Sequence, residues 1–136
     1  MSFDPTVDYP LGARRPDLVE TPSGLALDDV TLEAAREGAL VASDVRATTA
    51  TLGRQAAVAR AAGRHQLADN LERAGELAGV PDDVLLEIYT ALRPGRSTRL
   101  ELDAWAARLE EWEAPNTAAF VREAATVYAE RGLVGE

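Results

Sequence analysis

The clearest periodicity in the chain lies at Leu102, Trp105, Leu109 and Trp112, which recur at helical spacing and leave polar residues between them. Thr98 and Glu101, three residues apart, supply a capping box at the start of that helix, and Pro115 ends it. A further helix is predicted over 117–131. Its apolar residues Phe120, Val121, Ala124, Ala125, Val127 and Tyr128 cover an arc of roughly 160° at about 100° per residue, wider than a surface helix needs. Upstream, Pro81 followed by Asp82 and Asp83 suits a helix N-terminus, with Leu85, Ile88 and Leu92 facing inward and a stop before Pro94-Gly95. Two helices are predicted over 48–62 and 64–78, separated by Gly63. The second carries Leu67, Leu71, Ala74 and Ala78 on one stripe and ends at Gly79. Asp28 and Asp29 offer N-caps to a short helix over 28–37 that Gly38 closes, and Ser43 and Asp44 start one more turn. No segment alternates in the manner of a strand, so the expected fold is all-α, a compact multi-helix domain.

The first 27 residues read differently. They hold Pro5, Pro10, Pro16 and Pro22 together with Gly12 and Gly24, so no element of normal length fits between the breakers. Phe3, Val7, Tyr9, Leu11, Leu18, Val19, Leu25 and Leu27 nevertheless make the segment too apolar for a disordered tail. The expectation is an extended, proline-rich arm over 1–27, lying on its own domain or on a partner, ahead of a helical domain over 28–136.

Composition sharpens this picture. Of 136 residues 46% are hydrophobic, but 26 of them are alanines and only 5% are aromatic. Each alanine removes little apolar area from water, so a body built this way gains by packing against something else. The net charge is −9, and all 14 basic residues are arginines. That balance opposes binding to nucleic acid or anionic membranes. The lack of lysine excludes P-loop and Schiff-base chemistry, and zero cysteines exclude disulfides, iron–sulfur clusters and thiolate zinc sites. No apolar run reaches the roughly 18 residues of a membrane span. The N-terminus lacks the basic and apolar regions of a signal peptide, and the expected location is cytoplasmic.

Candidate chemistry is sparse. His65, the sole histidine, has no serine or cysteine nucleophile near it in sequence and reads as an exposed cap. Glu110, Glu111 and Glu113 share one helical turn, which a solvated face explains better than a metal site does. The turn at Gly63, flanked by Arg54, Arg60, Arg64 and Arg73, imitates a helix-turn-helix, but an ordinary hairpin whose arginines pair with acids accounts for it. No catalytic, cofactor-binding or metal-binding residues are assigned. The residues alone lead to an acidic all-helical domain with an interaction or assembly role.

Several stretches carry a resemblance. Residues 8–11 read DYPL, 27–33 read LDDVTLE, 80–99 read VPDDVLLEIYTALRPGRSTR and 118–125 read AAFVREAA. Between them Gln55, Ala62-Gly63-Arg64, Leu67-Ala68, Asn70 and Glu72-Arg73-Ala74 fall at matching spacing. In order and wording, over about 8–131, the chain resembles the small (gamma) subunit of adenosylcobalamin-dependent diol and glycerol dehydratases. It departs at 113–116, and Gly53 and Gly75 fall inside predicted helices, where glycine costs about 1 kcal/mol relative to alanine.

The resemblance implies a dimer of heterotrimers with large and medium subunits. Those subunits hold the adenosylcobalamin, and the holoenzyme converts a 1,2-diol such as propanediol or glycerol to an aldehyde and water by a radical mechanism. This chain would be the non-catalytic subunit that buttresses the large one. Few residues precede Asp8, whereas some relatives carry a long N-terminal extension linked to bacterial microcompartments, so the resemblance leaves a microcompartment open without supporting it. The expected contact residues are Tyr9 and Leu11 in the arm, Arg93 and Arg96 around Pro94-Gly95, and Phe120 and Tyr128 on the last helix. For Phe120 and Tyr128 an internal core position explains the pattern equally well, as does a solvated loop for the two arginines. The alternative from another class is a free-standing helical binding or regulatory module.

Overall fold

A computed structural model describes residues 2–136. Seven α-helices follow in chain order: α1 (Leu11–Arg14), α2 (Leu32–Arg36), α3 (Thr49–Ala61), α4 (His65–Leu77), α5 (Asp82–Ala91), α6 (Arg99–Glu111) and α7 (Pro115–Arg131). Three 3-10 turns, Pro16–Leu18, Leu27–Asp29 and Ala42–Val45, lie among the first of them. Among the described residues there is no strand beyond one isolated antiparallel bridge, Glu20 to Ala26. The fold is all-α. The chain groups into two compact units, one reaching to Gly75 and one from Glu76 onward, so 2–27 associate with the helices that follow them.

In the first unit the proline-rich segment is coiled rather than extended. The breakers cut it into short turns, and polar side chains hold the turns together. The Arg15 guanidinium joins Asp8 at 3.0 Å and Asp17 at 2.8 Å. From α3, Arg54 donates to the Leu18 carbonyl at 2.6 Å. Thr21 is buried, and Leu25 N–H donates to its hydroxyl oxygen. The short helix expected over 28–37 is displaced: Asp28 and Asp29 sit in a 3-10 turn, and Thr31 caps α2 by accepting from Ala34 N–H at 3.1 Å.

Thr48 caps α3, and Gly63 at φ 74° lets the chain leave it in a conformation a Cβ would strain. The α3–α4 hairpin closes on Ala56, Ala59 and Ala68, with Leu71 packed beside them. On α4 the buried line is therefore Ala68, Leu71 and Gly75; Leu67, Ala74 and Ala78 from the expected stripe stay exposed. At Gly75, where a Cβ would stand 3.5 Å from Leu52 Cβ, the Thr49 hydroxyl donates to the glycine carbonyl at 2.8 Å. Small residues let these two helices approach closely, at the cost of buried apolar area.

The second unit holds the larger core. Leu102, Leu109 and Val121 are its largest fully buried side chains, surrounded by Val80, Val84, Ile88 and alanines of α5, α6 and α7. Trp105, Trp112 and Tyr128 pack against its edge. Thr98 and Glu101 form the expected capping box, Glu101 accepting from Thr98 N–H at 2.8 Å. Arg108 stacks 4.5 Å from the Trp105 ring centroid and 5.6 Å from that of Trp112, covering both indoles on the solvent side. The last helix starts at Pro115, two residues before its expected start. Proline at the first helical position needs no N–H partner, so it opens α7 while ending the preceding turn. Because Ala114 at the N-cap has no side-chain oxygen, Glu76 caps α7 instead. Its carboxylate accepts from Asn116 N–H (3.0 Å), Asn116 Nδ2 (2.8 Å), Thr117 N–H (2.8 Å) and Thr117 Oγ1 (2.6 Å).

Candidate subunit interface

The six residues expected at a partner contact fall into three environments. Tyr9 is 63% exposed and forms one wall of a groove of about 650 Å³ lined also by Val58, Arg64 and Leu67. Phe120, 48% exposed, lies on the outer side of α7, while its neighbours Val121 and Ala118 are fully buried. Both side chains are exposed.

Leu11 and Tyr128 face inward. Leu11 is 7% exposed, because α1 folds back and turns it into the body of its own unit. The Tyr128 ring packs against the second-unit core, and its hydroxyl donates to the Leu92 carbonyl at 2.7 Å. Leu92 is the C-cap of α5, whose terminal carbonyls lack partners within the helix, so a phenol reaching it satisfies both groups. Tyr128 is thus half-buried at the edge of that core.

Arg93 and Arg96 project into solvent from the turn after α5. The C-terminal tail clamps that turn: Gly95 N–H donates to the Leu133 carbonyl, and Gly135 N–H to the Ser97 carbonyl, both at 2.7 Å. A Cβ on Gly135 would stand 3.2 Å from the Arg96 carbonyl carbon and the Gly95 oxygen, which explains glycine there. The two guanidiniums thus stand on a backbone fixed from both sides. Beside them, a shallow groove of about 410 Å³ runs between Leu86, Arg96, Glu101 and Trp105.

The sequence reading missed the outward apolar residues Leu86 and Tyr89, each 67% exposed. A signal was present. Residues 84, 85, 86, 88, 89, 91 and 92 are all apolar or aromatic, so α5 is hydrophobic on every side, the pattern of a helix covered on two faces. Val84, Ile88 and Ala91 fill one face; the other is open.

Several of the charged groups are engaged by neighbours in the fold. Hydrogen bonding from Arg122, 2.6 Å away, holds the Glu110 carboxyl below its ordinary pKa. Arg60 pairs with Glu72 at 2.7 Å and Asp69 at 3.1 Å across the α3–α4 hairpin, so acids engage the arginine beside the Gly63 turn. His65, the first residue of α4, is exposed. Among the described residues no three His, Cys, Asp or Glu side chains converge as a metal site. A corrinoid needs a walled, largely apolar cleft. Here the grooves are open, and the residues around His65 do not fit such a group. Among the described residues no helix is long and apolar enough to cross a membrane.

Many polar groups of this all-helical chain form caps, clamps and surface pairs, and large apolar side chains stand in solvent, an exposure expected of the class of docking components. Comparison with known proteins makes that class specific. The family model described as the dehydratase small subunit matches residues 5–134. The chain is 53% identical over 125 residues to a propanediol dehydratase small subunit of Citrobacter freundii and to one of Salmonella typhimurium. Each match covers 91% of this chain and 73% or 72% of the relative. The chain belongs to the dehydratase small-subunit family.

Proposed function

We propose that this chain is the non-catalytic small subunit of a coenzyme B12-dependent propanediol or glycerol dehydratase, and that it stabilises the large catalytic subunit within a dimer of heterotrimers in the cytoplasm. The observation that carries the reading is its 53% identity, over 91% of its length, to proteins named propanediol dehydratase small subunit. Adenosylcobalamin, held by the other subunits, supplies the radical chemistry that converts the diol to aldehyde and water. The residues of this chain supply surface. Tyr9, Phe120 and the arginine pair Arg93 and Arg96 are the contacts we assign to partner subunits, the arginines through carboxylates on the partner.

Permanent interfaces resemble a core cut in half, so a subunit of this kind should expose large apolar side chains when drawn alone. Leu86, Tyr89 and Leu100 of the second unit do so. The test is co-expression with the large and medium subunits, size-exclusion chromatography, and an aldehyde assay with adenosylcobalamin. A three-component complex whose activity is lost without this chain supports the proposal. A monodisperse chain that ignores both partners refutes it and favours a free-standing binding module.

A further inference from the structure

Residues 28–43 contain no buried side chain at all; only Ala34 and Leu40 are half-buried. The segment is ordered nonetheless. It holds the five-residue helix α2, capped by Thr31, and closes with Ala39 N–H on the Ala34 carbonyl at 2.9 Å. Its ends are pinned. Leu27 N–H donates to the Val19 carbonyl, and beyond the segment the buried Asp44 accepts from the Ser23 hydroxyl and from Val41 N–H. Between these pins Leu32 is 73% exposed, and just past the second Val45 is 80% exposed, with Val30 and Val41 also open.

A helix this short does not persist in water on its own propensity, and ordering such a run costs backbone entropy that burial normally offsets. Here the chain's own body offers it little, at Ala34 and Leu40 alone. The charge pattern then selects what covers it. The segment exposes Asp28, Asp29, Glu33 and Glu37 against the single Arg36. A second copy of this chain, with net charge −9, would oppose like charge with like.

Resting on the dehydratase-subunit reading above, we infer that residues 28–45 form a docking strap. Leu32, Val41 and Val45 seat on an apolar face of a partner subunit of the same enzyme, and a rim of lysine and arginine on that subunit meets the four exposed carboxylates. The strap lies apart in sequence from Tyr9, Phe120 and the arginine turn.

The experiment uses the full-length chain co-expressed with the large and medium subunits. Leu32→Asp and Val45→Asp should leave the circular dichroism and melting of the chain unchanged, because neither side chain is buried. They should weaken its retention in the complex by about tenfold or more. Glu33→Arg with Glu37→Arg should weaken retention most at low salt, where charge pairing is least screened. Backbone amides of 28–46 should exchange more slowly in the complex than in the free chain, a measurement that needs no variant. Wild-type-like retention of both aspartate variants, or equal exchange in the two states, overturns the strap while leaving the subunit reading intact. Failure of the wild-type chain to enter any complex overturns both. Concentration-dependent self-association abolished by Leu32→Asp assigns the surface to a second copy and overturns it as well.

Discussion

Glu76 is the only side chain holding the first turn of α7 among the described residues, and its removal has a calculable consequence. Asn116 and Thr117 carry two of the backbone N–H groups that a helix start leaves without intrahelical partners, and both point to this carboxylate. Replacing a capping side chain by alanine costs about 1 kcal/mol. Losing a negative charge at a helix N-terminus costs about 0.3–1 kcal/mol more. Thr117 is buried, so its orphaned hydroxyl adds about 1 kcal/mol. Glu76→Ala should therefore destabilise the protein by about 2–3 kcal/mol. With an unfolding entropy of about 2.1 cal/mol/K per residue, that lowers Tm by roughly 7–10 °C.

The effect carries a pH signature. Burial raises the Glu76 pKa, but the bonds donated by Thr117 and Asn116 outweigh burial and hold it below the ordinary value of 4.5. A carboxyl with a depressed folded pKa contributes stability that is present above its unfolded pKa and lost as pH falls through its folded one. The difference in Tm between wild type and Glu76→Ala should therefore be full at pH 7, begin to narrow as pH falls past the unfolded value, and be smallest near pH 3. Thermal melts followed by circular dichroism across that range measure it. A pH 7 difference below about 2 °C, or one that does not change with pH, would refute the capping argument.

Gly53 is exposed within α3 with nothing near a built Cβ, so Gly53→Ala should stabilise the protein by about 0.5–1 kcal/mol, read as a raised denaturation midpoint. Tyr128→Phe removes the hydroxyl that serves the Leu92 carbonyl; a loss of about 1 kcal/mol in chemical denaturation, with partner association unchanged, is expected. The two arm residues should separate. Leu11→Ala should lower the melting temperature through loss of about 2–3 kcal/mol of packing, whereas Tyr9→Ala should leave melting unchanged and reduce co-purification with the large subunit.

Features that depend on residues three or four apart were legible in the sequence. The Thr98–Glu101 box, the Thr48 cap, the Gly63 break and the acidic start of α5 each act through immediate neighbours, so their spacing alone decides them. The all-α class followed from the same local signals, and the family resemblance from long stretches such as 80–99. Which side of an element meets a neighbour was another matter. An alanine-rich helix has weak amphipathic contrast, and on α4 the buried line moved from Leu67, Ala74 and Ala78 to Ala68 and Gly75 because small residues permit closer approach. Leu11 turned inward because an arginine clasp on Asp8 and Asp17 coils a segment whose prolines read as extended. The α7 cap comes from a glutamate 40 residues before Asn116, a pairing no local pattern encodes. Caps and breaks are satisfied within a turn and are written into the sequence. Burial is set by whichever distant surface fits, and only the folded chain decides that.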